Sequence, residues 1–244
     1  RKITPKTKMI VPVHIGGYPV DLDPILAKDA LTDEDYNTLF VQTGLGRYAI
    51  DSLRNAPNRA NVIKKYQDQI FAKHGIYCVK EAVTTYHEYA INENGAYAAF
   101  EIFPCEAGFV LIMESSHSFG WRHGHAGIAL DGKYTLEAPM IGRSAGKYTV
   151  SSWRHYPRFM MLRLKDSTAD ELKALAKNAE KLILGAKYDL LAGVFAKESG
   201  QKRPQSVQCA YLVWYAFYLS GINIDKNGGA IVTVQDLINL DMFE

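Results

Sequence analysis

His125-Ala-Gly-Ile-Ala-Leu-Asp-Gly-Lys-Tyr-Thr-Leu-Glu137 decides how the second half of this chain folds. Two short runs of apolar and strand-forming residues flank Asp131-Gly132, and an Asp-Gly pair in that setting supplies the backbone angles of a tight hairpin. The spacing predicts antiparallel strands over 125–130 and 133–137. Counted outward from the turn, His125 and Glu137 become near-opposite residues, so their side chains are brought together.

Further strands are predicted on either side. Gly108-Phe-Val-Leu-Ile-Met113 and Arg158-Phe-Met-Met-Leu-Arg163 are short apolar runs bounded by turn residues. Downstream, Thr168-Ala-Asp-Glu171 is a capping box, and Leu172, Leu175, Ala179, Leu182 and Ile183 form the apolar stripe of a helix closed by Gly185. A last helix is expected from near Val207 to Leu219, ending at Gly221. It is apolar or aromatic on nearly every face, so it must be buried. An antiparallel sheet packed with helices is an α+β architecture.

Upstream of about residue 95 the pattern is helical. Thr32 precedes Asp33, Glu34 and Asp35 as an N-terminal cap, and Tyr36, Leu39 and Phe40 follow at helical spacing. Gly44-Leu-Gly46 turns the chain, Tyr48 to Leu53 resumes the period, and Val62, Ile63, Tyr66, Ile70 and Phe71 share a face within 62–73. The expected division is a helical N-terminal region over 1–94 and a second domain over 95–244. The Gly-Leu-Gly turn lacks the strand and spacing of a nucleotide loop.

The 244 residues are enough to bury a core without staples. Twenty-eight basic against twenty-six acidic side chains leave a formal charge of +2, too balanced for a nucleic-acid protein acting through bulk charge. The longest apolar stretches fall short of the roughly 18–20 residues that span a bilayer, so no transmembrane segment is expected. Cys78, Cys105 and Cys209 are odd in number and irregular in spacing, which fits neither a disulfide framework nor a paired-cysteine metal site. The chain starts at Arg1 rather than methionine, which raises the expectation of a removed upstream segment such as a secretory signal. Nothing in the pattern fixes an oligomeric state.

Cys209 stands out chemically. It falls in the first turn of the buried helix, where unpaired N–H groups and the helix dipole favour an anion. The plain alternative is a small buried hydrophobe. A thiolate nucleophile needs an imidazole to hold its proton and a third polar group to orient that imidazole, and the hairpin offers His125 and Glu137. His123, two residues before His125, would share its face on a strand and is a second candidate for base or substrate contact. The Cys209 N–H is the simplest oxyanion donor. Gln208 is either a side-chain partner in that role or a helix cap.

The order of Trp121-Arg-His-Gly-His-Ala-Gly-Ile-Ala-Leu130, Leu136-Glu-Ala138, Lys187-Tyr-Asp189 and Gln208-Cys-Ala-Tyr-Leu-Val-Trp214 resembles the circularly permuted branch of the NlpC-type cell-wall cysteine peptidases, the YiiX-like and YycO-like proteins. In that papain-like fold the sheet comes first and the cysteine helix last. The resemblance covers about residues 95–244, and Leu31-Thr-Asp-Glu-Asp-Tyr36 with Gln42-Thr-Gly-Leu-Gly46 is similar to the helical leader of the YycO-like group.

The resemblance implies a thiol amidase or peptidase without cofactor. Cys209 would be the nucleophile, His125 the base and Glu137 the third member, with Tyr188 lining the pocket near the thiol. It also implies a peptidoglycan-derived peptide or another amide as substrate, hence a secreted or cell-wall-associated protein. The chain departs from the family at Ala210, where members carry a small polar residue. Other readings compete: a lipid ester or fatty-acyl amide as substrate, a zinc cluster of His117, His123 and His125, and a binding module without catalysis.

Overall fold

The computed structural model describes residues 18–72, 74–82, 85–157, 159–194, 203–238 and 241–244. Four helices open it: α1 (Asp23–Leu26), α2 (Asp33–Thr43), α3 (Arg47–Arg54) and α4 (Arg59–Phe71). Thr32 and Asp35 form a reciprocal capping box at the start of α2, and Gly44 ends it at φ +70°. Leu22, Leu39, Ile50 and Ile63 form the fully buried centre of this helical layer. Lys73, the expected end of the third helix, lies outside the described residues.

The helical reading of 1–94 fails at its end. β1 (Gly75–Lys80) and β2 (Thr85–Ile91) pair there as an antiparallel hairpin. Tyr77, Val79, Thr85, Tyr86, Tyr89 and Ile91 are residues that fit a pleated surface, and this was the local signal for strands. The hairpin is held across residue 95. After β3 (Val110–Met113) come β4 (Ser116–Ser118) and β5 (Trp121–Arg122), and β4 pairs with β2 to give a sheet of order β1-β2-β4-β5.

The main sheet adds β6 (His125–Ala129), β7 (Tyr134–Glu137), β8 (Gly146–Thr149) and β9 (Phe159–Leu162) to β3, in the antiparallel order β8-β7-β6-β3-β9. β3 and β6 are buried at every residue, as central strands covered on both faces must be. A 3₁₀ turn over Val150–His155 follows β8. Arg158, the expected first residue of β9, lies outside the described residues. The expected capping box opens α5 (Ala169–Ile183), whose buried face is Leu172, Leu175, Ala176, Ala179 and Ile183.

Two short parallel strands, β10 (Lys187–Tyr188) and β11 (Ser206–Val207), lead into α6 (Cys209–Tyr218), and α7 (Val234–Leu237) comes last. Every residue of α6 from Cys209 to Phe217 is buried, against β6 and α5. Leu212, Val213, Trp214 and Phe217 each contribute about 1.5–3 kcal/mol of apolar burial, which fixes the N-terminus of α6 against the start of β6. The chain is thus a mixed α/β protein with antiparallel sheets. Among the described residues no helix is long and apolar enough to cross a membrane.

Candidate active site

His125 opens β6 and Glu137 closes β7, but the register sets Glu137 opposite Gly127 rather than His125. Side chains two residues apart share a face, so the pair meets diagonally. Gly127 makes this possible, since a Cβ there would lie 2.7 Å from Glu137 Cγ and 3.3 Å from the Trp153 ring. Glu137 leans across that gap, and its Oε2 lies 2.8 Å from His125 Nε2. Its other oxygen accepts from Trp153 Nε1 at 2.9 Å and from the Thr135 hydroxyl. Trp153 also stacks on the His125 ring, 5.6 Å away at 14°.

Cys209 is the first residue of α6, and it stands close enough to His125 to favour the charged form of that ring. Burial disfavours charge on His125. The neighbouring Cys209 and the hydrogen bond to Glu137 outweigh it and hold the imidazolium proton up to about pH 10. The three residues are 8%, 4% and 7% exposed, in the order Cys209, His125, Glu137.

Tyr188 lies half-buried on β10, close enough to Cys209 that, after burial, a charge on the sulfur is the next factor raising its phenol pKa. Gln208 is the N-cap of α6. Its Oε1 accepts from Ala210 N at 2.8 Å and its Nε2 donates to Val232 O at 2.7 Å, so the amide oxygen and one of the two Nε2 hydrogens bond protein. The Cys209 N–H, a first-turn donor outside the internal hydrogen bonds of α6, is the backbone donor beside the sulfur.

His123 does not share a strand face with His125. Gly124, at φ +71°, separates it from β6, and a Cβ at that glycine would lie 2.7 Å from Met113 O. The His123 Nδ1 donates to Gly124 O at 2.7 Å, and Nε2 lies 3.0 Å from the Ser118 hydroxyl. Burial, followed by the charge of His125, lowers its pKa despite that carbonyl. His117 faces elsewhere, stacked on Tyr86 with Nε2 3.9 Å from Cys78 Sγ. Among the described residues no three His, Cys, Asp or Glu side chains are grouped to hold a metal ion.

Sequence reasoning missed two kinds of residue. Trp153 and Thr135 hold the Glu137 carboxylate, and nothing local marks Trp153 for this, because the strand it reaches is not its neighbour in sequence. His87 on β2 is buried against His125, with ring centroids 6.4 Å apart at 28°. It was hidden by the helical reading of its segment. Comparison of the chain with protein families, curated proteins and solved structures found no match.

Proposed function

We propose that this protein is a thiol hydrolase of the permuted papain-like kind, cleaving an amide through an acyl-enzyme on Cys209. The observation that carries the reading is His125 set between Cys209, near enough to favour its charged form, and Glu137, 2.8 Å from its Nε2, which is the nucleophile, base and orienter arrangement recognised by geometry rather than chain order. The thiolate attacks the carbonyl carbon. The Cys209 N–H, at the positive end of α6, steadies the oxygen that becomes negative. His125 passes its proton to the departing amine as the C–N bond breaks, and later takes a proton from the water that cleaves the thioester.

Glu137 keeps the imidazole in one orientation and balances its charge, while Trp153 and Thr135 keep Glu137 in place. The family resemblance directs the choice of substrate to cell-wall stem peptides and the location to the outside of the cell. The deciding experiment is turnover by Cys209→Ala against wild type, on muropeptides and in parallel on acyl esters. Full turnover by the variant would remove Cys209 from the chemistry, and activity confined to acyl esters would replace the amide substrate with a lipid one.

A further inference from the structure

His87 is 7% exposed, packs edge-on against Tyr156 at 6.1 Å, and lies against the ring of His125. Among the described residues its buried Nε2 has no hydrogen-bond partner. Its position relative to His125 is fixed by backbone. His87 pairs with Ser116, whose carbonyl takes the N–H groups of both His123 and Gly124, the two residues before His125. A buried polar nitrogen without a partner is costly, and natural sites keep such atoms where a ligand or water meets them.

In the reaction proposed above, the atom that receives the His125 proton is the leaving atom. Whatever is attached to that atom therefore lies over the His125 side of the sulfur, while the acyl group lies toward α6. His87 stands on the His125 side. We infer that His87, brought in by the N-terminal hairpin, binds the leaving group, its Nε2 hydrogen-bonding an uncharged polar group such as an amide or hydroxyl next to the bond that Cys209 breaks. Its burial does not count against this, because His125 is less exposed still and must itself be reached by substrate. Burial, with the charges of His125, His123 and His117, holds the His87 ring neutral, which suits an uncharged partner.

The inference rests on the thiol-hydrolase reading, and amine partitioning separates the two. p-Nitrophenyl acetate acetylates Cys209: an S–C bond forms, the C–O bond breaks and p-nitrophenolate leaves. An added amine then attacks the thioester, forming C–N and breaking S–C, with its proton passing to His125; by reversibility it occupies the leaving-group site. Glycinamide carries an amide there and propylamine does not. Each aminolysis rate is divided by that amine's rate with a small-molecule thioester, and acetyl-enzyme is followed by mass spectrometry.

Wild type is expected to favour glycinamide by roughly three- to tenfold, the value of one neutral hydrogen bond. His87→Phe, which keeps a ring but no nitrogen, is expected to bring that ratio to about one, with aminolysis by glycinamide falling by a larger factor than aminolysis by propylamine or hydrolysis of the acetyl-enzyme. An equal ratio in wild type overturns the inference without any variant. So does a ratio that persists in His87→Phe, or hydrolysis that falls by the same factor as aminolysis, which marks a purely structural role. A wild type that forms no acetyl-enzyme on Cys209 overturns the hydrolase reading itself and the inference with it.

Discussion

Glu137 reaches His125 past a glycine. The two side chains meet at 2.8 Å although the strand register sets Glu137 against Gly127, where any Cβ would collide with the carboxylate stem and the Trp153 ring. Gly127→Ala is therefore expected to push Glu137 off His125, cutting kcat/KM by about tenfold or more and costing about 1–3 kcal/mol of stability through overpacking. Steady-state kinetics with thermal unfolding checks it; unchanged activity would mean that Glu137 has room to spare.

Glu137→Gln tests the charge rather than the shape. The amide still fills the space between His125 and Trp153 but cannot balance an imidazolium. Activity is expected to fall by about a hundredfold or more, and the histidine pKa, read by NMR, to drop from its raised position toward the ordinary value. A variant with wild-type kcat/KM would leave Glu137 a structural residue.

The two buried histidines give stability opposite pH dependences. The His125 pKa is raised in the fold, to about 10 against about 6.5 unfolded, so its contribution is complete below pH 6.5 and is lost as pH rises through 10. The His87 pKa is lowered to about 3, because burial and the neighbouring histidines oppose its charging. Its cost therefore appears as pH falls from 6.5 toward 3, where the unfolded chain takes up a proton that the folded one refuses. Unfolding curves from pH 7 to 4 should steepen less in His87→Phe than in wild type. Parallel curves would show that His87 charges freely in the fold.

Gln208 provides a contrast between capping and catalysis. Since both ends of its amide bond protein, Gln208→Ala is expected to cost about 1–2 kcal/mol, as a lost cap does, with kcat down by less than about tenfold. A loss of a hundred- to a thousandfold in kcat would instead mark an oxyanion donor.

Thiol labelling ranks the three cysteines. Burial raises the Cys105 pKa to about 12, so that thiol is expected to be the slowest toward iodoacetamide at pH 6. Cys209, beside a protonated His125, is expected to be the fastest although Cys78 is the exposed one. Peptide mapping of the alkylated sites reads the order, and Cys78 reacting ahead of Cys209 would speak against an activated thiol.

Local chemistry in the sequence was enough to place Cys209 at a helix start, His125 and Glu137 on a hairpin, and the capped helices α2 and α5, because turns, caps and periodic apolar faces depend on residues a few positions apart. Strands β1 and β2 escaped that reading. They pair with each other as a local hairpin, but the inner partner of β2 is β4, almost thirty residues further on, and that pairing leaves no trace in the segment beyond its strand-forming residues. His87 was lost with them.

What only the packed molecule decided is who stands around the imidazole. The diagonal reach of Glu137 over Gly127, the hold of Trp153 and Thr135 on the carboxylate, and the arrival of His87 beside His125 depend on sheet register and on layers meeting across the chain. Register and packing are set by long-range burial, for which no short stretch of sequence carries a signature.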